Sequence, residues 1–284
     1  MADRMEIISP AKVNLTLRIC GKRPDGYHEI ESLMCPISLW DTVTLEPGGQ
    51  GVRVRCNTPG IPQDETNLAH RAATLFFQEF GPGPGLLITL DKKIPAGAGL
   101  GGGSSNAASV LQGLNTLLGE PFSLENLAAM GARIGSDVPF FVYGRPAWIT
   151  GTGEGIDLVT GLYPHHIVVV FPAIEASTAR VYKKCNLALT RCKKIHRVPV
   201  LTGDQSYIEG LLCNDLERPA LEEYPGIDDA RKALLQTEAK GVLMSGSGSS
   251  VFGLFREHAG ARETRLSLER QHPDWQVFSC QLIV

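Results

Sequence analysis

The chain has 284 residues, 43% of them hydrophobic and 20% charged, a balance that supports about two compact domains with full cores and excludes disorder and coiled coil. Lys and Arg number 27 and Asp and Glu 30, a net charge of −3. That excludes a dedicated nucleic-acid binder or a polybasic membrane anchor and points to small ligands.

Residues 7–8 and 13–19 read as strand, the second stretch with period-two alternation, and Pro10 between them predicts two strands joined by a break. Pro24-Asp25-Gly26 signals a turn, and residues 41–45 and 52–55 resume strand chemistry on either side of Pro47-Gly48-Gly49. Over 67–80, Leu68, Ala72, Leu75 and Phe76 recur at helical spacing, and Gly81-Pro82-Gly83-Pro84-Gly85 ends that helix before a strand at 86–90. Helices are predicted over 104–118, directly after a glycine run, and over 123–134, with Ser123 as cap and Asn126 at N3. Segments 140–142, 147–150 and 167–171 read as strands around a second glycine cluster at 151–155. Beyond a domain boundary near residue 160, helices are predicted over 207–214, 228–237 and 259–271, and strands over 242–244, 251–255 and 276–284. The order is irregular and builds no series of βα units, so an α+β fold with domains 1–160 and 161–284 is expected rather than a doubly wound sheet.

Cysteines 20, 35, 56, 185, 192, 213 and 280 are odd in number and scattered, with no C-x-x-C pair, and read as reduced thiols. Met1-Ala2-Asp3-Arg4-Met5-Glu6 opens no apolar leader, and no apolar run approaches the roughly 20 residues of a membrane span. A bacterial cytoplasmic protein is expected, without nucleic-acid or membrane partners, as a monomer or homodimer.

The strongest local signal is Pro95-Ala96-Gly97-Ala98-Gly99-Leu100-Gly101-Gly102-Gly103-Ser104-Ser105-Asn106-Ala107-Ala108. It places unhindered backbone N–H groups at the start of a helix, where free amides and the macrodipole favour a phosphate. Gly97, Gly99 and Gly102 satisfy G-x-G-x-x-G, but residues 91–96 separate the preceding strand from the loop, and no strand precedes Glu120, so a dinucleotide fold fits badly. A Walker A loop is excluded because no lysine follows the glycines before Ser104-Ser105. Any lysine serving the phosphates must come from elsewhere.

Three segments, Ser9-Pro10-Ala11-Lys12-Val13-Asn14-Leu15, the glycine loop, and Gly246-Ser247-Gly248-Ser249-Ser250-Val251-Phe252, together resemble the GHMP kinase superfamily, named for galactose, homoserine, mevalonate and phosphomevalonate kinases. In that order along one chain they are highly specific. Arg23-Pro24-Asp25-Gly26-Tyr27-His28 and Gly135-Ser136-Asp137-Val138-Pro139-Phe140-Phe141 draw the resemblance towards the branch acting on a cytidine diphosphate-linked methylerythritol in the non-mevalonate isoprenoid pathway. The resemblance implies a ribosomal protein S5 domain 2-like N-terminal domain, a ferredoxin-like C-terminal domain and an active site in the cleft between them. It implies ATP as donor, with Mg²⁺, and the tertiary C2 hydroxyl as acceptor.

A tertiary alcohol is hindered and a weak acid, so transfer needs deprotonation in the transition state and electrostatic help. Asp137 matches the family's base and Lys12 the second catalytic residue, expected as a buried ion pair; a turn-capping aspartate and an edge-strand lysine are the bland readings. Tyr27 and His28 match the pair that reads cytosine, the ring stacking and the histidine hydrogen-bonding, against a plain surface loop. Asn14, Thr178 and Tyr182 match positions around the substrate, and Tyr182 reads equally as a core aromatic. Asn67 matches a residue near the adenine and reads at least as well as an ordinary N-cap. Ser104 or Ser105 could offer Mg²⁺ a hydroxyl, and no carboxylate cluster is dedicated to the metal. Lys183, Lys184, Arg191, Lys193, Lys194 and Arg197 form a basic run that reads first as a solvated face.

Overall fold

The computed structural model describes residues 4–185, 190, 192, 200–201 and 205–284. Two compact units are built from interleaved segments: Met1–Ala11, Trp40–Ala96 and Gly101–Gly144 form one, and Lys12–Leu39, Gly97–Leu100 and Arg145–Val284 the other. Two long strands, β1 (Met5–Lys22) and β2 (His28–Pro47), belong partly to each. β1 runs through Pro10 without the predicted break, because the fixed φ of proline suits an extended chain and only one ladder donor is lost. The first half of β2 has no sequence counterpart among the predicted strands. Residues 32–37 are buried in succession, and a strand covered on both faces shows no alternation.

In the first unit the Thr42–Pro47 end of β2 pairs antiparallel with β4 (Leu86–Asp91), which pairs in parallel with β3 (Val52–Cys56). Val43 lies opposite Leu90 and Leu45 opposite Ile88, all four buried. Helix α1 (Leu68–Phe80) packs on α2 (Gly102–Leu117), and α2 meets Ile7 and Leu45 at Gly113. α3 (Leu124–Ile134) starts in the reciprocal capping box of Ser123 and Asn126. Residues 140–142, predicted as strand, lie instead in α4 (Val138–Tyr143). A short apolar run cannot tell the two apart by period, and Pro139 in the first turn with left-handed Gly144 at the end decides for helix.

In the second unit, Ile30–Met34 of β2 pairs with β5 (Ala147–Gly151), which forms a hairpin with β6 (Gly155–Leu158) across the second glycine cluster. β1 pairs in parallel with the two-residue β8 (Cys213–Asn214), at Thr16 with Cys213 and Leu17 with Asn214. An antiparallel sheet runs β11 (Gln276–Gln281), β7 (His166–Phe171), β10 (Val251–Phe255), β9 (Gly241–Met244). α8 (Gly226–Leu235) and α9 (His258–Gln271) pack on it around Val168, Val170, Leu234, Val251 and Leu268. Helices α5 (Thr178–Lys184), α6 (Gln205–Leu211) and α7 (Glu217–Glu223) complete the unit. Residues 213–214, predicted as a helix end, are strand. The expectation of seven reduced thiols is also corrected, since Cys192 and Cys213 form a disulfide.

Candidate active site

Lys12 and Asn14 lie two residues apart on β1, so the period of an extended chain puts both side chains on one face. Both are buried, and Lys12 Nζ donates to Asn14 Oδ1 at 2.6 Å. Asn14 Nδ2 donates to Ser32 Oγ at 2.8 Å, and the Ser32 hydroxyl donates to the Thr16 carbonyl at 2.5 Å. The single Ser32 proton is used on Thr16, so Ser32 can only accept from Asn14. That forces the Asn14 amide oxygen towards the ammonium.

The same unit packs part of the glycine loop onto the third glycine motif. Gly99 has φ of 75°, and a Cβ there would lie 2.3 Å from the Ser245 carbonyl oxygen, so only glycine fits. Ser245 Oγ donates to the Gly99 carbonyl at 3.0 Å, Ser250 N to that of Ala98 at 3.1 Å, and Lys12 N to that of Leu100 at 3.0 Å. Loop, turn and lysine-bearing strand are thus cross-tied.

Four of the five predicted substrate residues gather around α5 and β1, and Tyr27 adjoins them in sequence. Arg23 N donates to the Tyr27 carbonyl and Tyr27 N to Asp25 Oδ1, a closed turn that presents Tyr27, 68% exposed. The His28 ring lies 5.1 Å from that of Tyr182, centroid to centroid. Thr178 Oγ1 and Ser247 Oγ are 2.8 Å apart. Tyr182 packs against the core, which is the core-aromatic reading, and its ring meets that of His28. Partial burial, then the charge of Lys22, holds the His28 imidazole below its ordinary pKa, which favours the neutral ring.

In the first unit, Pro95 and Ala96 lead from β4 into the loop, and α2 begins at Gly102 behind the left-handed Gly101 with no side-chain cap. The first-turn N–H groups of Gly102, Gly103 and Ser104 therefore point out of the helix with no side chain committed to them. Beneath that turn lies a polar network that the sequence reasoning missed. Lys92 pairs with Asp41 and donates to Asn106 Oδ1 at 3.0 Å, and Asn106 Nδ2 donates to Ser9 Oγ at 2.9 Å and Asp41 Oδ2 at 3.0 Å. Asp41 Oδ1 also accepts Lys93 N and Ile94 N. A lysine does serve the loop, from before the glycines, but buried and charge-compensated it anchors the helix start. Asp137 sits at the N-cap position of α4 and makes no cap bond with its side chain, so the turn-capping reading is not observed. Asn67 caps α1 through Ala69 N at 2.9 Å and donates to the Pro62 carbonyl at 2.6 Å, which is the N-cap reading.

Residues 67–145 match the GHMP kinases N terminal domain and residues 199–274 the GHMP kinases C terminal domain. A 4-diphosphocytidyl-2-C-methyl-D-erythritol kinase of Syntrophotalea carbinolica is 43% identical over 275 residues, 96% of this chain and 97% of that protein. The chain belongs to this kinase family. A crystal structure of a 4-(cytidine 5'-diphospho)-2C-methyl-D-erythritol kinase matches with a TM-score of 0.81 and 36% identity, covering 98% of this chain and 99% of that one. The homoserine kinase of Cytophaga hutchinsonii, 20% identical with a TM-score of 0.77 over 99% of this chain and 96% of its own, shares the fold.

Within this kinase family member, Lys184 of the basic run pairs with Glu223 of α7, while Arg191, Lys193, Lys194 and Arg197 lie outside the described residues. Among the described residues the one group with metal-ligand spacing is Cys192, Cys213 and Asp215. Its sulfurs are joined, and Asp215 already accepts Ile19 N at 2.9 Å and Cys192 N at 3.0 Å, so it is a brace between segments. Of the residues behind Lys12 and the loop, Asn106 lies in the glycine-loop motif without a role read for it, while Ser32, Asp41, Lys92 and Ser245, which sequence reasoning missed, carry no local motif. Their roles exist only through contacts distant in sequence.

Proposed function

We propose that the chain transfers the γ-phosphoryl group of ATP to the C2 hydroxyl of 4-diphosphocytidyl-2-C-methyl-D-erythritol, giving the 2-phosphate in the non-mevalonate isoprenoid pathway, in a bacterial cytoplasm. The observation that carries this reading is 43% identity over 96% of the chain to a kinase of that name. Asp137 takes the proton of the tertiary hydroxyl as the bond to phosphorus forms, which spares the reaction a free alkoxide. Lys12, aimed by the Asn14–Ser32 relay, offsets the negative charge that develops on the transferring group. The first-turn N–H groups of α2 and the backbone of Gly97–Gly103 hold the phosphates, with no lysine of Walker type.

Tyr27 stacks on the cytosine and His28 reads its edge. In a neutral imidazole one ring nitrogen is an acceptor, which can take the N–H of the cytosine amino group, and protonation would remove that acceptor. Tyr182 backs the His28 ring, and Thr178 and Asn14 complete the substrate side. Mg²⁺ bound with ATP supplies positive charge on the phosphate oxygens. The donor set fits a metal carried chiefly by the nucleotide, because Ser105 Oγ is taken up by Ser9 at 2.8 Å and Ser104 is the remaining loop hydroxyl.

The test is ADP release with Mg²⁺-ATP in the presence of the cytidylyl compound, mevalonate, homoserine or no acceptor. Turnover confined to the cytidylyl compound is the expected result. Turnover confined to another acceptor would overturn the roles of Tyr27 and His28, and ATP binding without any turnover would make the chain a nucleotide sensor.

A further inference from the structure

Asn214 is buried at 8% exposure, and no hydrogen-bonding group of its amide is left idle. Its Nδ2 donates to the Met244 and Gly246 carbonyls, each at 2.8 Å, and its Oδ1 accepts Leu216 N at 2.9 Å. The residue sits on β8, paired with Leu17 of β1, the strand that carries Lys12 and Asn14. Gly246, with φ of 58°, is the point where the third glycine motif reaches those two residues. A Cβ at Gly246 would lie 3.3 Å from Lys12 Nζ and 3.5 Å from Asn14 Oδ1. The next residue, Ser247, meets Thr178 at the start of α5. Glu217, three residues after Asn214, accepts Met244 N at 2.8 Å, so both backbone groups of Met244 are gripped from the segment Asn214–Glu217.

We propose that Asn214 is a positioning residue for phosphoryl transfer: it clamps the Gly246 turn against the Lys12–Asn14 pair and so sets where the Lys12 ammonium stands. The proposal rests on the kinase reading above. An amide is required because the two groups to be held are both carbonyl oxygens. A carboxylate there has no donor and faces two acceptors, and an aliphatic side chain leaves both carbonyls unpaired in a buried place. Either change lets the turn move, and a displacement of about 1 Å in a catalytic array costs about 10²-fold in rate.

Two variants decide it, assayed beside wild type with the acceptor that wild type uses. Asn214→Leu keeps the bulk and loses both donors, and kcat per folded molecule should fall ~10- to 10²-fold at every pH. In Asn214→Asp the introduced carboxyl, flanked by carbonyl oxygens and buried, is protonated in acid and lends one O–H donor; in base it lends none. The ratio of variant to wild-type kcat should therefore fall ~10-fold or more as pH rises from about 6 to 9. A crystal structure of either variant should show the Gly246 turn displaced from Lys12. A pH-independent ratio for Asn214→Asp, or wild-type kcat in folded Asn214→Leu with the turn in place, would overturn the proposal. If Asn214→Leu does not fold, the pH ratio alone decides. Use by wild type of an acceptor other than the cytidylyl compound would count against the substrate assignment and leave the clamp to be judged on these same ratios.

Discussion

Replacing Asn14 by Asp changes one atom type beside Lys12 and little else. The new carboxylate keeps an acceptor at the place of Oδ1, 2.6 Å from Lys12 Nζ, and adds a full negative charge. At a separation of about 3 Å and an effective dielectric of about 20, that attraction amounts to about 5 kcal/mol. Withholding a quarter to a half of it from the transition state raises the barrier by about 1.3 to 2.5 kcal/mol, or ~10- to 70-fold in kcat. On the other side the loss is smaller. Ser32 Oγ no longer receives the Asn14 amide donor, and its hydroxyl must choose between the new carboxylate and the Thr16 carbonyl, a change of about 1 kcal/mol. In a protein of this size that is a fall in Tm of about 2 to 4 °C. Steady-state ADP release and a thermal melt on the same preparation separate the effects. A kcat within twofold of wild type, with the melt shifted as expected, would refute the view that the Lys12 charge acts on the reacting groups.

Asp137→Asn should lower kcat by ~10²-fold or more while the cytidylyl substrate still binds with near-normal affinity by calorimetry; near-wild-type turnover would remove Asp137 from the mechanism. Gly99→Ala puts a Cβ 2.3 Å from the Ser245 carbonyl at a φ of 75°, and the left-handed strain alone, about 1 to 2 kcal/mol, should lower Tm by ~3 °C or more and raise KM for ATP. His28, its pKa lowered by burial and by Lys22, must be neutral to read the base, so kcat/KM for the cytidylyl substrate should hold as pH falls through the ordinary histidine value of about 6.5 and decline only below it. His28→Gln should abolish that acid limb, and an unchanged limb would assign it to another group.

What was legible in the sequence was whatever local chemistry decides. The glycine run before α2, the Asn67 cap of α1 and the Ser123–Asn126 box of α3 each rest on neighbours within four residues, and all three stand in the structure. The first half of β2 was not legible because burial on both faces removes the alternation by which a strand is recognised. Phe140 to Val142 is too short a run for period to separate strand from helix. Nothing local distinguishes Asn214 from any polar residue near a helix end, and its function as a donor to Met244 and Gly246 depends on a fold that brings β8 beside β9. Likewise Cys192 and Cys213, in a set of seven scattered cysteines, become partners only once β8 is placed. A division at residue 160 follows chain order, whereas the compact units draw β1, β2 and the glycine loop into both.

The most direct measurement is proton-coupled phosphorus-31 NMR of the product formed from ATP and the cytidylyl methylerythritol compound. A phosphate on the tertiary C2 oxygen has no proton on the carbon that bears it. The expected result is one new phosphomonoester singlet, growing in ~10²-fold or more slowly with Asp137→Asn. A new resonance split by a carbinol proton would place the phosphate on another hydroxyl, and no new monoester beside ADP would mean hydrolysis of ATP; either would contradict transfer to C2.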